Sequence, residues 1–246
     1  MKRRVLGQHY LVDSTVIERM IEAAELKPTD SVVEIGTGKG ALTEKLAGHC
    51  LKLDGYEVDP GNYRATLSRL GGANAHIHLM DGFQRLSPFG VLVSSLPYSR
   101  SRDFIEWISR VEYQRGVVLL QEDFVKKVLS KPGARDYRAV AAITQISSEV
   151  KEITRVGRNA FDPPPKVNSM IVFIRPRRRL LEGEISNVKK LFSLRRRRVS
   201  TALRILGFRT EFKDYGSRRV SSLLPVEVYE ICRTRLAETS NIGDLS

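Results

Sequence analysis

The run Val32-Val33-Glu34-Ile35-Gly36-Thr37-Gly38-Lys39-Gly40-Ala41 constrains this chain more than any other feature. A short apolar stretch carries an acidic residue near its end, and three glycines follow at alternate positions. Helix-compatible sequence, Ala41–Ala47, comes directly after. That order is a strand, a tight turn and a helix. Glycines let the backbone take positive φ and approach a ligand closely, and the helix start behind them favours an anionic or polar group. The spacing also satisfies the loose dinucleotide fingerprint, with Ala41 in the last small position. By itself the loop leaves a nicotinamide dinucleotide, S-adenosylmethionine (SAM) and a ligand-free turn all open.

The surrounding sequence repeats the theme. Apolar runs at Ser31–Ile35, Leu51–Val58, His76–Met80, Val91–Leu96 and Val117–Leu120 are expected to be buried strands. Helix-like stretches lie between most of them, such as 41–47, Tyr63–Leu70 and Arg102–Arg110. Strands alternating with helices imply βαβ units and a mostly parallel sheet. Glu152–Val156 and Met170–Arg175 have no helix between them, which predicts an antiparallel hairpin at one sheet edge. Ahead of the first strand, Thr15 and Glu18 have capping-box spacing. Ile17, Met20, Ile21 and Ala24 continue as an apolar stripe, and Pro28 is expected to close that helix.

Two further features address the ligand. Tyr56-Glu57-Val58-Asp59 ends the second strand, placing Glu57 where an acidic residue accepts bonds from ribose hydroxyls. Asp81 ends the third. The carboxyl ends of adjacent parallel strands converge on one crevice, so Glu34, Glu57 and Asp81 are expected to share a nucleoside site. After the fourth strand comes Ser94-Ser95-Leu96-Pro97-Tyr98. It follows the pattern of a small polar residue, any residue, Pro and an aromatic, which marks methyltransferases acting on planar exocyclic amines. Such a nitrogen is a poor nucleophile because its lone pair is delocalised into the ring. The Ser95 oxygen and the Leu96 carbonyl can hold its hydrogens, Pro97 turns the chain sharply, and Tyr98 offers a face for the base to stack on.

The composition shifts at Pro176. Between Arg175 and Arg204 stand eleven Lys and Arg against two Glu, nine of the chain's thirteen net positive charges. The pattern beyond is helical, at Val188–Leu194, Val199–Leu206, Ser217–Leu223 and Pro225–Leu236. The expected division is a catalytic domain over 1–178 and a small, basic helical domain over 179–246. A pI near 10.0 points to a polyanionic partner, because each neutralised phosphate releases counterions. Cys50 and Cys232 make neither a disulfide framework nor a metal motif, and His76 and His78 lack a third ligand, so no metal is expected. Cys50 falls before the second strand, out of place for a nucleophile. No apolar run reaches membrane-spanning length. The basic start Met1-Lys2-Arg3-Arg4 has no apolar segment after it, and patterned sequence begins by Leu6. A cytoplasmic protein is expected.

Taken together, these motifs resemble one family, the KsgA-type ribosomal RNA adenine dimethyltransferases. Leu6-Gly7-Gln8-His9-Tyr10-Leu11-Val12-Asp13 is similar to its opening, and Glu34–Gly40 to its glycine loop. Leu120-Gln121-Glu122, Lys131-Pro132-Gly133 and Asp136-Tyr137 resemble its middle segment. Phe161-Asp162-Pro163-Pro164-Pro165-Lys166-Val167-Asn168-Ser169 resembles its Pro-rich signature, and Phe192-Ser193-Leu194-Arg195-Arg196-Arg197 its C-terminal motif.

The resemblance implies an α/β fold: a seven-stranded SAM-dependent methyltransferase (Rossmann-like) sheet with a small C-terminal helical domain. It implies SAM as cofactor, held by Gln8, Tyr10, Glu34, Gly36, Gly38, Gly40, Glu57, Asp81 and Ser95. Gln8 is expected in an N-terminal segment that closes over the cofactor. The implied reaction methylates N6 of two adjacent adenines in the 3′-terminal hairpin of small-subunit ribosomal RNA, during subunit maturation. Its expected catalytic set is Ser95, Leu96, Pro97, Tyr98 and Phe161, with Tyr98 and Phe161 as the two faces of a base sandwich. Arg100, Arg102, Lys166, Arg195, Arg196, Arg197 and Arg198 are expected to meet RNA. A monomer acting on the immature small subunit is the default.

The family usually has Asn where this chain has Ser95, a shorter acceptor that can stop the reaction at one methyl. Two alternatives follow: a weak or inactive ribosome-assembly factor, and an amino methyltransferase with another RNA target.

Overall fold

The computed structural model describes residues 9–72, 74–208 and 215–239, with side chains described through Arg233. Its strands are β1 (Tyr10–Leu11), β2 (Ser31–Ile35), β3 (Lys52–Glu57), β4 (Ala75–Leu79), β5 (Val91–Ser95), β6 (Arg115–Gln121), β7 (Ser148–Val156), β8 (Phe161–Asp162) and β9 (Ser169–Pro176). Its helices are α1 (Ser14–Ala24), α2 (Ala41–Ala47), α3 (Pro60–Arg69), α4 (Ser101–Ile108), α5 (Glu122–Val128), α6 (Ala139–Ser147), α7 (Glu182–Ser193), α8 (Val199–Leu206) and α9 (Pro225–Thr239).

Seven strands form one sheet in the order β4-β3-β2-β5-β6-β9-β7. The pairs β2–β3, β3–β4, β2–β5 and β5–β6 are parallel. β9 runs antiparallel to β6, from Gly116↔Ile174 to Gln121↔Ser169. The late strands β7 and β9 are neighbours at one edge, with no α-helix between them in sequence. The chain builds outward from β2 through β3 to β4, then returns to lay β5 on the other side of β2. That reversal opens a crevice at the carboxyl ends of β2 and β5, the customary ligand position in such sheets.

Central strands are apolar because both faces are covered. Val32, Val33, Val91, Val93, Val117 and Val118 have no measurable exposure. Against one face packs α1, through Ile17, Met20 and Ala24. The cap of α1 is Asp13 rather than Thr15: its carboxylate accepts from the amides of Thr15 (2.9 Å) and Val16 (3.2 Å). The helix ends at Ala24, with Glu25 in the left-handed region at φ 46°, before Pro28 is reached.

A second, two-stranded ribbon was not anticipated. β1 pairs antiparallel with β8, setting Tyr10 opposite Asp162 and Leu11 opposite Phe161.

The chain divides into two compact units, and the division is not the continuous one expected at 178/179. One unit holds residues 1–125 and 149–176; the other holds 126–148 together with the chain from Arg177 onward. Residues 126–148 belong to the second unit because α6 packs on α7 and α9. Within that unit, Tyr137 meets Phe192 edge-on at 5.4 Å, and Asn187 Nδ2 donates to the Cys232 carbonyl at 2.9 Å. Among the described residues, no helix is long and apolar enough to cross a membrane.

Candidate active site

A cavity in the first unit opens where β2, β3, β4 and β5 end, and the glycine loop forms its floor. Gly36, Gly38 and Gly40 take φ of 78°, 56° and 86°, a region that disfavours side chains. Space is tight for them too. A Cβ on Gly40 would lie 3.0 Å from the Thr66 backbone, and one on Gly38 would lie 3.2 Å from the Tyr10 ring. The loop is bonded to its surroundings on both sides. Gly36 donates to the Tyr56 carbonyl at 2.7 Å, and the Thr66 hydroxyl donates to the Gly38 carbonyl at 3.0 Å.

Glu34 stands at the end of β2 beside this loop and is 1% exposed. Burial pushes its carboxyl up to about 8, the Thr43 hydroxyl opposes that rise, and the charge of Glu57 adds to it. Its Oε2 has no hydrogen-bond partner. Glu57, one strand over, is held by three backbone amides. Its Oε2 accepts from Gly38 (2.8 Å), and its Oε1 accepts from Val58 (2.8 Å) and Asp59 (2.9 Å). Above the floor, Tyr10 donates its hydroxyl to Asn62 Oδ1 at 3.2 Å, and the Lys39 ammonium sits 4.5 Å from the Tyr10 ring centre.

Asp81, past the end of β4, caps the short turn Gly82–Gln84 by accepting from the Phe83 amide at 3.0 Å. Its other oxygen accepts from Arg100 Nη2 at 2.9 Å. This corrects the expectation for Arg100. Its Nε also donates to Asp103 at 2.6 Å, and its guanidinium lies 4.7 Å from the centre of the Phe83 ring. Arg100 is therefore part of the cavity wall, paired with two carboxylates, rather than a charge held out for phosphate. Arg102 is exposed, as is Lys166.

The Ser95-Leu96-Pro97-Tyr98 segment leaves β5 at the near side of the same cavity. The Ser94 hydroxyl donates to the Ile35 carbonyl at 2.5 Å, tying the end of β5 to the end of β2. Ser95 and Pro97 line the cavity, while the Leu96 side chain is buried. Pro97 packs on Gly36: a Cβ there would be 3.4 Å from Pro97 Cδ. Tyr98 shares a 2.6 Å hydrogen bond with the Ser169 hydroxyl. Burial raises the Tyr98 phenol above its ordinary value, and the Ser169 bond works the other way.

The expected base sandwich is not formed by the two rings as they stand. Phe161 meets Tyr98 at 69° with centroids 6.3 Å apart, edge to face. Pairing of β8 with β1 turns Phe161 into the core beside Leu11, Val156 and Ala160, leaving it 3% exposed. The ring nearer to parallel with Tyr98 is His9, at 35° and 5.7 Å, whose Nδ1 is 2.7 Å from the Pro163 carbonyl.

The family model for ribosomal RNA adenine dimethylase matches residues 1–231. The chain belongs to the ribosomal RNA adenine dimethylase family. It is thus an enzyme of SAM-dependent methyl transfer. The probable ribosomal RNA small subunit methyltransferase A of Pyrococcus abyssi is 34% identical over 92% of this chain and 89% of its own length. The ribosomal RNA small subunit methyltransferase A of Thermotoga neapolitana is 31% identical over 93% and 90%. Among solved structures, a dimethyladenosine transferase from Plasmodium falciparum superposes with a TM-score of 0.79 at 21% identity, covering 94% of this chain and 98% of that one. The 23S rRNA methyltransferase ErmE superposes at 0.62 with 27% identity, covering 93% and 99%.

The cavity of this dimethylase-family chain fits SAM on its own chemistry. The buried, unpartnered oxygen of Glu34 is an acceptor suited to a cationic ligand, and the glycine loop has no side chains to exclude one. The structure brings together Tyr10, Glu34, the three glycines, Glu57, Asp81, Ser95, Pro97 and Arg100. Gln8 lies outside the described residues. Tyr98 and Phe161 stand beyond the cavity lining.

The basic cluster of the second unit has a fixed backbone and free ends. The carbonyls of Arg195, Arg196 and Arg197 accept bonds from Ser221, the Arg219 side chain and Val220. The side chains of Arg196, Arg197 and Arg198 are exposed, while Arg195 is half-buried and donates to the Arg135 carbonyl at 3.3 Å.

Sequence reading missed Asn62, Thr66, Ser169 and the Asp81–Arg100 pair. Asn62, Thr66 and Arg69 fall at i, i+4 and i+7 on α3, so a stripe facing the glycine loop was there to be found. Trp107 is core, stacked on Phe89 at 7°. Cys50 is buried, and burial with the nearby Asp30 charge pushes its thiol up to about 11, which suits packing rather than nucleophilic chemistry.

Proposed function

We propose that this enzyme methylates N6 of adenine in small-subunit ribosomal RNA, twice on each of two adjacent adenines of the 3′-terminal hairpin. The supporting observation is the contact of Pro97 with Gly36, which sets the Ser95–Tyr98 segment directly against the cofactor floor. Bound there, SAM supplies an electrophilic methyl group. The chain's own residues do the rest by position. The Ser95 hydroxyl and Leu96 carbonyl accept the amine hydrogens, so the nitrogen can pyramidalise and expose its lone pair. Tyr98 stacks on the base, a contact worth about 1–3 kcal/mol. Ser169 fixes the Tyr98 ring by the hydroxyl, and His9 stands closest to parallel with it. No covalent enzyme intermediate is required, and most of the acceleration comes from orientation and placed dipoles.

Arg102, Lys166 and Arg195–Arg198 supply phosphate contacts, with Arg100 serving the cavity wall instead. Residues 1–125 with 149–176 carry the chemistry, and the basic second unit carries RNA attraction. The enzyme works as a cytoplasmic monomer on the immature small subunit. A different RNA target is the competing reading, motivated by the likeness to the 23S rRNA methyltransferase ErmE.

Methyl transfer from labelled SAM to undermethylated small and large ribosomal subunits, with mass-spectrometric mapping, tests this. Dimethyladenosine at two adjacent 3′-hairpin adenines is expected. Monomethylation there would trace to the short Ser95. Transfer to the large subunit alone would overturn the assignment.

A further inference from the structure

Two buried polar side-chain atoms lining the cavity have no partner, and they are of opposite kind. Glu34 Oε2 accepts; Asn62 Nδ2 donates. The function assigned above uses only the first. Asn62 is 7% exposed and sits in the first turn of α3, directly after the β3 end that carries Glu57. One end of its carboxamide is held by the Tyr10 hydroxyl at 3.2 Å, which leaves the amide end to face another group. A buried donor left unsatisfied costs about 1–3 kcal/mol, so such an atom normally has a ligand, a water or a protein group to serve.

The chemistry of the neighbouring carboxylate says which. A carboxylate only accepts, and has roughly four lone-pair sites. Glu57 already spends three on the amides of Gly38, Val58 and Asp59. One acceptor site remains for a ribose, whose vicinal diol carries two hydroxyl hydrogens and two oxygens that themselves accept. Glu57 can take one hydrogen, and it can give nothing to the oxygens. The donor needed on that side of the cavity is the one Asn62 holds unused.

We propose that Asn62 is a specificity-determining residue for the cofactor: its Nδ2 donates to a ribose hydroxyl oxygen, completing with Glu57 a donor–acceptor pair that reads the diol. Through Oδ1 the same carboxamide holds Tyr10, so the β1–β8 ribbon is fastened to the side chain that senses the ribose. The proposal rests on the cavity being the cofactor site, and the experiment separates the two.

Calorimetric titration of the full chain with S-adenosylhomocysteine and its 2′-deoxy and 3′-deoxy ribose analogues provides the test, in wild type and Asn62→Ala. Wild type should bind the parent and lose roughly tenfold when the hydroxyl read by Asn62 is removed. Asn62→Ala should bind the parent roughly tenfold more weakly and be nearly indifferent to loss of that same hydroxyl. Equal deoxy penalties in the two proteins would overturn the Asn62 role while leaving the cofactor site intact. Failure of wild type to bind S-adenosylhomocysteine would overturn both. A spectroscopic readout needs no variant. The Asn62 side-chain amide resonance, assigned through its proximity to the Tyr10 ring, should shift on adding the parent ligand and stay put with one deoxy analogue. A resonance unmoved by the parent would refute the hydrogen bond.

Discussion

The two units use charge and polarity in opposite ways. Around the cavity of the first, carboxylates and hydroxyls have assigned protein partners: Glu57 with three amides, Asp81 with Phe83 and Arg100, Ser94 with Ile35. In the second, the Arg195–Arg197 carbonyls are pinned, while the guanidinium groups of Arg196–Arg198 reach solvent. A fixed set of distances is what methyl transfer needs, since the reaction is won by orientation. Attraction to a polyanion needs only density of charge, and it tolerates loss of one member. Deleting a cavity residue should therefore disable a step, and deleting a cluster residue should only dilute an affinity.

The sharpest division comes from Tyr98→Ala. Loss of a base-stacking face should cut methyl transfer about 10–100-fold, from roughly 1–3 kcal/mol per base, with S-adenosylhomocysteine affinity within twofold of wild type. A single-turnover rate unchanged by the substitution would remove Tyr98 from the chemistry. Next in size is the triple replacement of Arg196, Arg197 and Arg198 by Ala. RNA affinity at moderate salt should fall about tenfold, and the slope of log K against log salt should flatten by about 2–3. Filter binding over a salt series measures this, and an unaltered slope would return the cluster to ordinary surface.

Arg100 tests which region a positive charge serves. Arg100→Ala should weaken S-adenosylhomocysteine binding about threefold by releasing Asp81, on the scale of a half-exposed charged pair, and leave the RNA salt slope alone. The reverse result would place Arg100 with the RNA-binding charges after all.

A separate effect, read in stability rather than in affinity or rate, is a pH dependence. Glu34 titrates at about 8 in the folded chain against an ordinary 4.5. Between those values the folded state holds a proton that the unfolded state has lost, so stability falls as pH rises through that window. Glu34→Gln abolishes this loss. Its melting temperature relative to wild type should start near equal at pH 4.5, rise through the window and level off above pH 8, by on the order of ten degrees in all. A difference independent of pH would show that Glu34 is ionised throughout.

What the sequence disclosed, and what it hid, follows the range of the interactions. The glycine loop, Glu57 and Asp81 were legible because each sits at a strand end announced by its own neighbours. The cap of α1 was placed two residues late, because Asp13 and Thr15 are both good caps and only the carboxylate's reach to Thr15 and Val16 decides. Residues 126–148 carry no local mark of belonging with the chain after Arg177; that is fixed by the packing of α6 on α7 and α9. Phe161 was expected as one face of a base sandwich, and only its pairing with Leu11 shows it turned inward. Arg100 and Asp81, nineteen residues apart, needed the fold to become a pair.

The β1–β8 ribbon has a consequence for the order of events during synthesis. His9 and Pro163 touch across 154 residues of chain. Closing so long a loop is entropically expensive and therefore late. The strands that carry or lead to Glu34, Glu57, Asp81 and Ser95 are all complete by residue 95, so a growing chain has its nucleoside floor long before β1 has β8 to pair with. The roof waits for residue 162. A chain halted between those two points would own every motif of the cofactor site and still leave it open to water.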